Sequence, residues 1–96
     1  MISSDVLGSY AADAAREVAG VAGLVDGPLH RHHGVRVVEE DGAVTVELHL
    51  AVVSGVDIPA LGADVQTRVR AYLAQMADVT PQAVDVVVAE IVPPPG

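Results

Sequence analysis

Val44-Thr45-Val46-Glu47-Leu48-His49-Leu50-Ala51-Val52-Val53 runs through the link Ser54-Gly55-Val56-Asp57-Ile58-Pro59 into Ala60 to Met76, and the reading of this stretch decides the fold. In its first part Val44, Val46, Leu48, Leu50 and Val52 recur with period two, the pattern of a strand with one buried face. Ser54-Gly55 then turns the chain. Asp57 is suited to cap a helix, and Pro59 is tolerated in a first helical turn, where its missing N–H has no partner to lose. From there Ile58, Leu61, Val65, Val69, Tyr72, Leu73 and Met76 trace one helical stripe ending near Asp78, with Asp64 and Arg68 spaced to pair at i,i+4 on the wet side.

The residues just upstream give this strand its first neighbour. Asp41-Gly42 favours a two-residue type I′ turn, which places Val37 opposite Val46 and Val35 opposite Leu48 on one face, with Arg36 opposite Glu47 on the other. Apolar then meets apolar and cation meets anion, the pairing that cross-strand energetics prefer, so this region is read as a β hairpin. His49 falls on the face away from the apolar set, between Glu47 and Ala51, and the sequence assigns no acid or nucleophile to orient it.

Toward the N-terminus, Ser3 or Ser4 caps a helix that carries Asp5 in its first turn, a favourable charge against the helix dipole. Val6, Tyr10, Ala14 and Val18 recur at intervals of four with Leu7, Ala11 and Ala15 beside them, which predicts an amphipathic helix stopped by Gly20. A short extended segment follows around Val21 to Leu24. Gly20 and Gly23 share the spacing of the G-x-x-G loop that clamps a nucleic-acid backbone in KH domains; with an acidic chain around them they are read as a helix cap and a close backbone approach.

Toward the C-terminus, Thr80-Pro81 breaks the helical pattern and Ala83 to Val92 forms a last strand. Its valine run lacks clean alternation, which predicts a central strand covered on both faces, or one bulged between Asp85 and Glu90. Pro93-Pro94-Pro95-Gly96 cannot continue a ladder, so residues 93–96 are read as a proline-rich tail and residues 3–92 as a single domain. The order α-(β)-β-β-α-β predicts an α+β fold: a small mixed or antiparallel sheet of three to four strands with two helices packed on one face.

Composition narrows the function. The formal net charge is −8, from 13 acidic residues against five Arg, and such a field repels both nucleic-acid backbones and anionic membrane surfaces. No Cys is present, so disulfides, thiolate catalysis and Cys-based zinc sites are excluded together. The start of the chain has no basic region followed by an apolar run of signal length, and no stretch is long and apolar enough to insert directly into a membrane; the expectation is a cytoplasmic protein. The apolar content of 51% is almost wholly Val, Ala, Leu and Ile, with two Tyr and no Phe or Trp, so the core packs from small branched side chains and can recruit a partner to complete its burial.

One cluster invites a chemical reading. His30-Arg31-His32-His33 lies in a loop opened by the turn residues Asp26-Gly27-Pro28, and His30, His32 and His33 are candidate ligands for a divalent metal because neutral imidazole is a common donor. Adjacent histidines on one loop seldom converge on a single ion, and no H-x-x-x-H spacing supports them. The competing reading is a solvated loop that gains positive charge below about pH 6.5. No catalytic residues, no cofactor and no assigned metal ligands emerge.

The chain resembles the alkaline shock protein family, also called the envelope stress response or YloU-like family. The resemblance is carried by the first helix running into Glu17-Val18-Ala19-Gly20-Val21-Ala22-Gly23-Leu24, by Gly34-Val35-Arg36-Val37, and by Val44 to Leu50 with Gly55-Val56-Asp57-Ile58-Pro59. Val65-Gln66-Thr67-Arg68-Val69 and Val84-Asp85-Val86-Val87-Val88 complete it. The family pattern departs from this chain in often having a basic loop where His30 to His33 stand, and longer tails. The resemblance implies a non-enzymatic cytoplasmic protein linked to cell-envelope stress or homeostasis. It implies too a scaffold that self-associates as a homo-oligomer, works through protein partners, and is held at the membrane by an integral-membrane anchor protein. The alternative is a small accessory domain that binds a metal or small ligand through His30 to His33, with His49 assisting.

Overall fold

The computed structural model describes residues 3–26 and 34–95. Its elements run α1 (Ser4–Arg16), β1 (Val21–Leu24), β2 (Val35–Glu40), β3 (Ala43–Val53), α2 (Ile58–Ala77) and β4 (Ala83–Val92). The α+β order is the expected one, and the sheet is of the mixed kind: β1 and β2 pair antiparallel with β3, while β4 pairs parallel with it.

The local signals act where the sequence places them. Asp41 and Gly42 both adopt positive φ, and the turn they make sets the pairs Val35 with Leu48, Arg36 with Glu47 and Val37 with Val46. Ser3 accepts from the backbone N–H of Val6 at 3.2 Å, and Asp57 from that of Ala60 at 3.1 Å. The two caps satisfy N–H groups that no helical turn reaches. Asp78 closes α2 in the left-handed conformation.

Three expectations need correction. Gly20 does not end α1; Glu17 does, its N–H turning back to Ala14 and Ala15, and Gly20 instead makes the later turn into β1 at φ +96°. Strand β4 is not central: β3 is, because β1 and β2 occupy one of its sides and β4 the other. The bulged alternative holds for β4, since Leu50 faces Val88 while Ala51 faces Glu90, leaving Ala89 as the extra residue. Arg68 does not pair with Asp64 but reaches 4.0 Å from Glu17 on α1, a contact between two exposed side chains.

Strands β1 and β2 lie end to end along one side of β3. The chain leaves this lane at Val25, whose N–H donates to the His49 carbonyl at 2.9 Å, and rejoins it at Gly34, whose carbonyl accepts from the His49 N–H at 2.9 Å. The core lies between one face of this sheet and the two helices. It holds Val35, Val46, Leu48, Leu50, Val52 and Val84 from the strands, Leu61, Val65, Val69 and Leu73 from α2, and Leu7, Ala11, Ala14, Ala15 and Val18 from α1. Each of the larger buried side chains contributes about 1.5–3 kcal/mol of transfer free energy. The alanines of α1 let it sit close to its neighbours, which is how a core without Phe or Trp fills. Among the described residues no polar or charged side chain is buried.

Candidate functional site

The far face of the sheet is built from the alternate residues of the same strands. Across the lanes, Val38, Thr45 and Ala83 form one row, Arg36, Glu47 and Asp85 the next, then His49 beside Val87, and Ala51 beside Glu90. This face mixes β-branched and charged groups, as expected where no described helix covers it. His49 and Glu47 are neighbours here, with Nε2 of the ring 3.1 Å from Oε2 of the carboxylate. The acid that the sequence does not assign to His49 is Glu47: two positions along a strand share a face, and that spacing is the signal.

Among the described residues the other candidate site residues do not assemble into a reaction centre. His30, His32 and His33 lie outside the described residues. Among the described residues no group of three or more His, Cys, Asp or Glu is placed to hold a metal ion. Gly23 sits within β1 opposite Ala51, and Gly20 packs against Val56 and Leu61, so the G-x-x-G pair forms no open clamp. An open hollow of about 390 Å³ beside the hairpin is lined by Val38, Glu40, Asp41, Ala43, Thr45 and Gln82, and another of about 260 Å³ by Val18, Ala19, Asp64, Thr67 and Arg68. Neither brings imidazole and carboxylate together.

What the structure does present is unpartnered surface. Among the described residues no strand pairs with the outer side of β4, a ten-residue strand whose Val84 carbonyl near its start accepts from the Gln66 side chain. Val87, on the uncovered face, is 39% exposed, and Ile91, aligned with Val52 on the helix-bearing side, is 58% exposed. The helix pair offers a second apolar surface. Tyr10 and Tyr72 meet edge to face with centroids 5.8 Å apart, and Val6 and Met76, each one turn from a tyrosine, are exposed.

Solved structures share this fold. A MamM C-terminal domain with a histidine-to-alanine substitution superposes with a TM-score of 0.59 at 13% identity, covering 97% of this chain and 100% of its own. A second MamM C-terminal domain, with a glutamate-to-alanine substitution, gives 0.61 at 14% identity over 92% of this chain and 99% of that one. A cadmium form of the MamM C-terminal domain gives 0.59 at 14% identity over 90% and 95%. At such identities the likeness concerns the fold alone. The comparison with curated proteins finds no match. The model of the alkaline shock protein 23 family, described as having a cell envelope-related function, matches residues 1–93. With nearly its whole length matched, and with the hairpin, caps and link quoted above in place, the chain belongs to that family.

Proposed function

We propose that this chain is a non-enzymatic interaction module of the cell envelope: a cytoplasmic scaffold that self-associates and docks protein partners, one of them an integral-membrane protein that anchors it. The observation that carries the reading is the outer side of β4, with which no described strand pairs and which, beyond the Val84 carbonyl held by Gln66, is flanked by exposed Val87 and Ile91. Backbone N–H and C=O groups left unpaired along an edge form a template for another strand. Val6, Tyr10, Tyr72 and Met76 on the helix pair supply a second surface, and because aromatic residues and Met are enriched at interfaces we assign self-association to it. No described helix is long and apolar enough to cross a membrane, so a membrane location would come through the anchor.

Light scattering on a size-exclusion column tests the self-association, which predicts a mass above the 9.8 kDa of one chain. A strict monomer at concentrations on the order of tens of micromolar removes that part of the reading. Pull-down from native membranes with the tagged chain tests the anchor.

A second reading has one observation in its favour. Val25 and Gly34, the residues flanking the segment that carries His30, His32 and His33, both bond to the backbone of His49, whose ring lies beside Glu47. An accessory domain binding a divalent metal would use this region. Calorimetry with zinc or nickel at pH 7.5 decides it, and no heat dismisses it.

A further inference from the structure

We propose that the open side of β4 is a lane for an extended basic segment of a partner protein, one that presents two cationic side chains four positions apart on one face with apolar residues between them. The inference rests on the docking role of β4 argued above and names the occupant.

The spacing comes from the bulge. Asp85 and Glu90 are five apart in β4 but lie opposite Glu47 and Ala51, which are four apart in β3, because Ala89 is the extra residue. Both carboxylates therefore share the uncovered face, with Val87 between them. A regular strand on the outer side of β4 would meet them at positions i and i+4, in parallel or antiparallel pairing, and would meet Val87 at i+2. Its residues at i+1 and i+3 would point to the other face, where half-buried Val86 and Val88 border the core. A Lys-Val-Val-Val-Lys pattern satisfies every one of these positions.

Charge argues against a second copy in this lane. The antiparallel register that overlaps all ten residues of two β4 strands puts Asp85 opposite Glu90 of the second copy at both ends. The strand carries no cation to offset them, and each chain brings a formal −8. Pairing β4 with the β2 side of another copy meets Glu39 and Glu40 against one Arg36. Charged residues and a bulge are common guards of an edge, and here the guard is selective: it repels the chain's own acidic surface and attracts a cationic one. The other side of the sheet offers no equal lane, because β1 and β2 hold four and six residues and the chain departs between them.

The test uses the full chain and three labelled synthetic nonapeptides: one with a Lys-Val-Val-Val-Lys centre, one with Glu-Val-Val-Val-Glu, and one with a Lys-Val-Pro-Pro-Lys centre. Fluorescence anisotropy should show the Lys peptide binding at least about tenfold tighter than the Glu peptide, with affinity falling as salt is raised. The Pro-Pro peptide, which lacks one ladder N–H in either strand orientation, should lose most of the binding. The Asp85→Lys/Glu90→Lys double variant should invert the order of Lys and Glu peptides, while Glu40→Lys on the opposite side should not. Hydrogen exchange should show added protection of β4 amides on binding. Equal affinity for Lys and Glu peptides, or an order unchanged in the double variant, overturns the charged occupant while leaving β4 as a docking lane. Failure of all three peptides to bind or to protect β4 overturns the lane itself, and with it the docking part of the proposed function.

Discussion

The two sides of the sheet use the same β-branched residues and end up unlike. One side is β1 and β2, two short strands laid end to end and interrupted where the chain leaves at Val25 and returns at Gly34. The other is β4, unbroken over ten residues and entered after Pro81. An interrupted lane offers an incoming strand only four or six residues of ladder; β4 offers a longer run, from beyond the Gln66 contact at Val84 and across the bulge at Ala89. The two sides differ in strand length and continuity more than in apolar content, and an edge strand's length sets how much ladder it can offer.

The largest effect should come from closing the gap in the interrupted side. Gly34 has φ +86°, and a Cβ there would lie 2.7 Å from the Val25 carbonyl oxygen, a backbone atom that cannot swing away. Gly34→Ala combines left-handed strain with a clash and should cost about 3 kcal/mol in urea unfolding. Gly23→Ala in the same lane, where a Cβ meets nothing within 4 Å among the described residues, should cost well under half of that. Equal losses would mean that the pinch at His49 does not hold the lane together.

Along β4 the comparison sharpens within one strand. Val84 is 2% exposed and packs into the core, whereas Val87 faces out. Val84→Ala should cost about 2 kcal/mol, from lost transfer free energy and the cavity left behind, and Val87→Ala less than about 0.5 kcal/mol. If Val87→Ala proves as costly, its face is covered in solution by something beyond this chain, and the loss should then depend on protein concentration.

These contrasts also mark what was legible in the sequence. The hairpin register follows from Asp41-Gly42, and the helix starts from Ser3 or Ser4, of which Ser3 is the cap, and from Asp57, because those signals act within a few residues of where they are written. The helix stripe was read one notch too wide: Leu61, Val65, Val69 and Leu73 are buried, while Ile58 and Met76 at its two ends are exposed. The place of β4 was not legible. A run of valines suits a covered central strand and an edge strand with one covered face alike, and the choice depends on which side of β3 is already filled. Glu47 beside His49 is legible from period two, yet the hairpin register also sets Arg36 opposite Glu47, and the two readings compete for one carboxylate. Arg68 shows the same competition: i,i+4 spacing favours Asp64, but α1 brings Glu17 within reach.

A smaller prediction concerns what pins the start of β4. Gln66 on α2 donates its side-chain N–H to the Val84 carbonyl at 2.9 Å, the one described side-chain hydrogen bond between α2 and the sheet. Gln66→Ala should cost about 1 kcal/mol, the usual net worth of one hydrogen bond. Because the bond is part-buried, the freed carbonyl regains only some hydration, so Gln66→Leu, which also keeps water out, should cost slightly more than Gln66→Ala. The effect should be local: faster hydrogen exchange at the first residues of β4 with β1 and β2 unchanged. If exchange rises equally on both sides of β3, the two sides open as one unit, and the continuous lane is no more independent than the broken one.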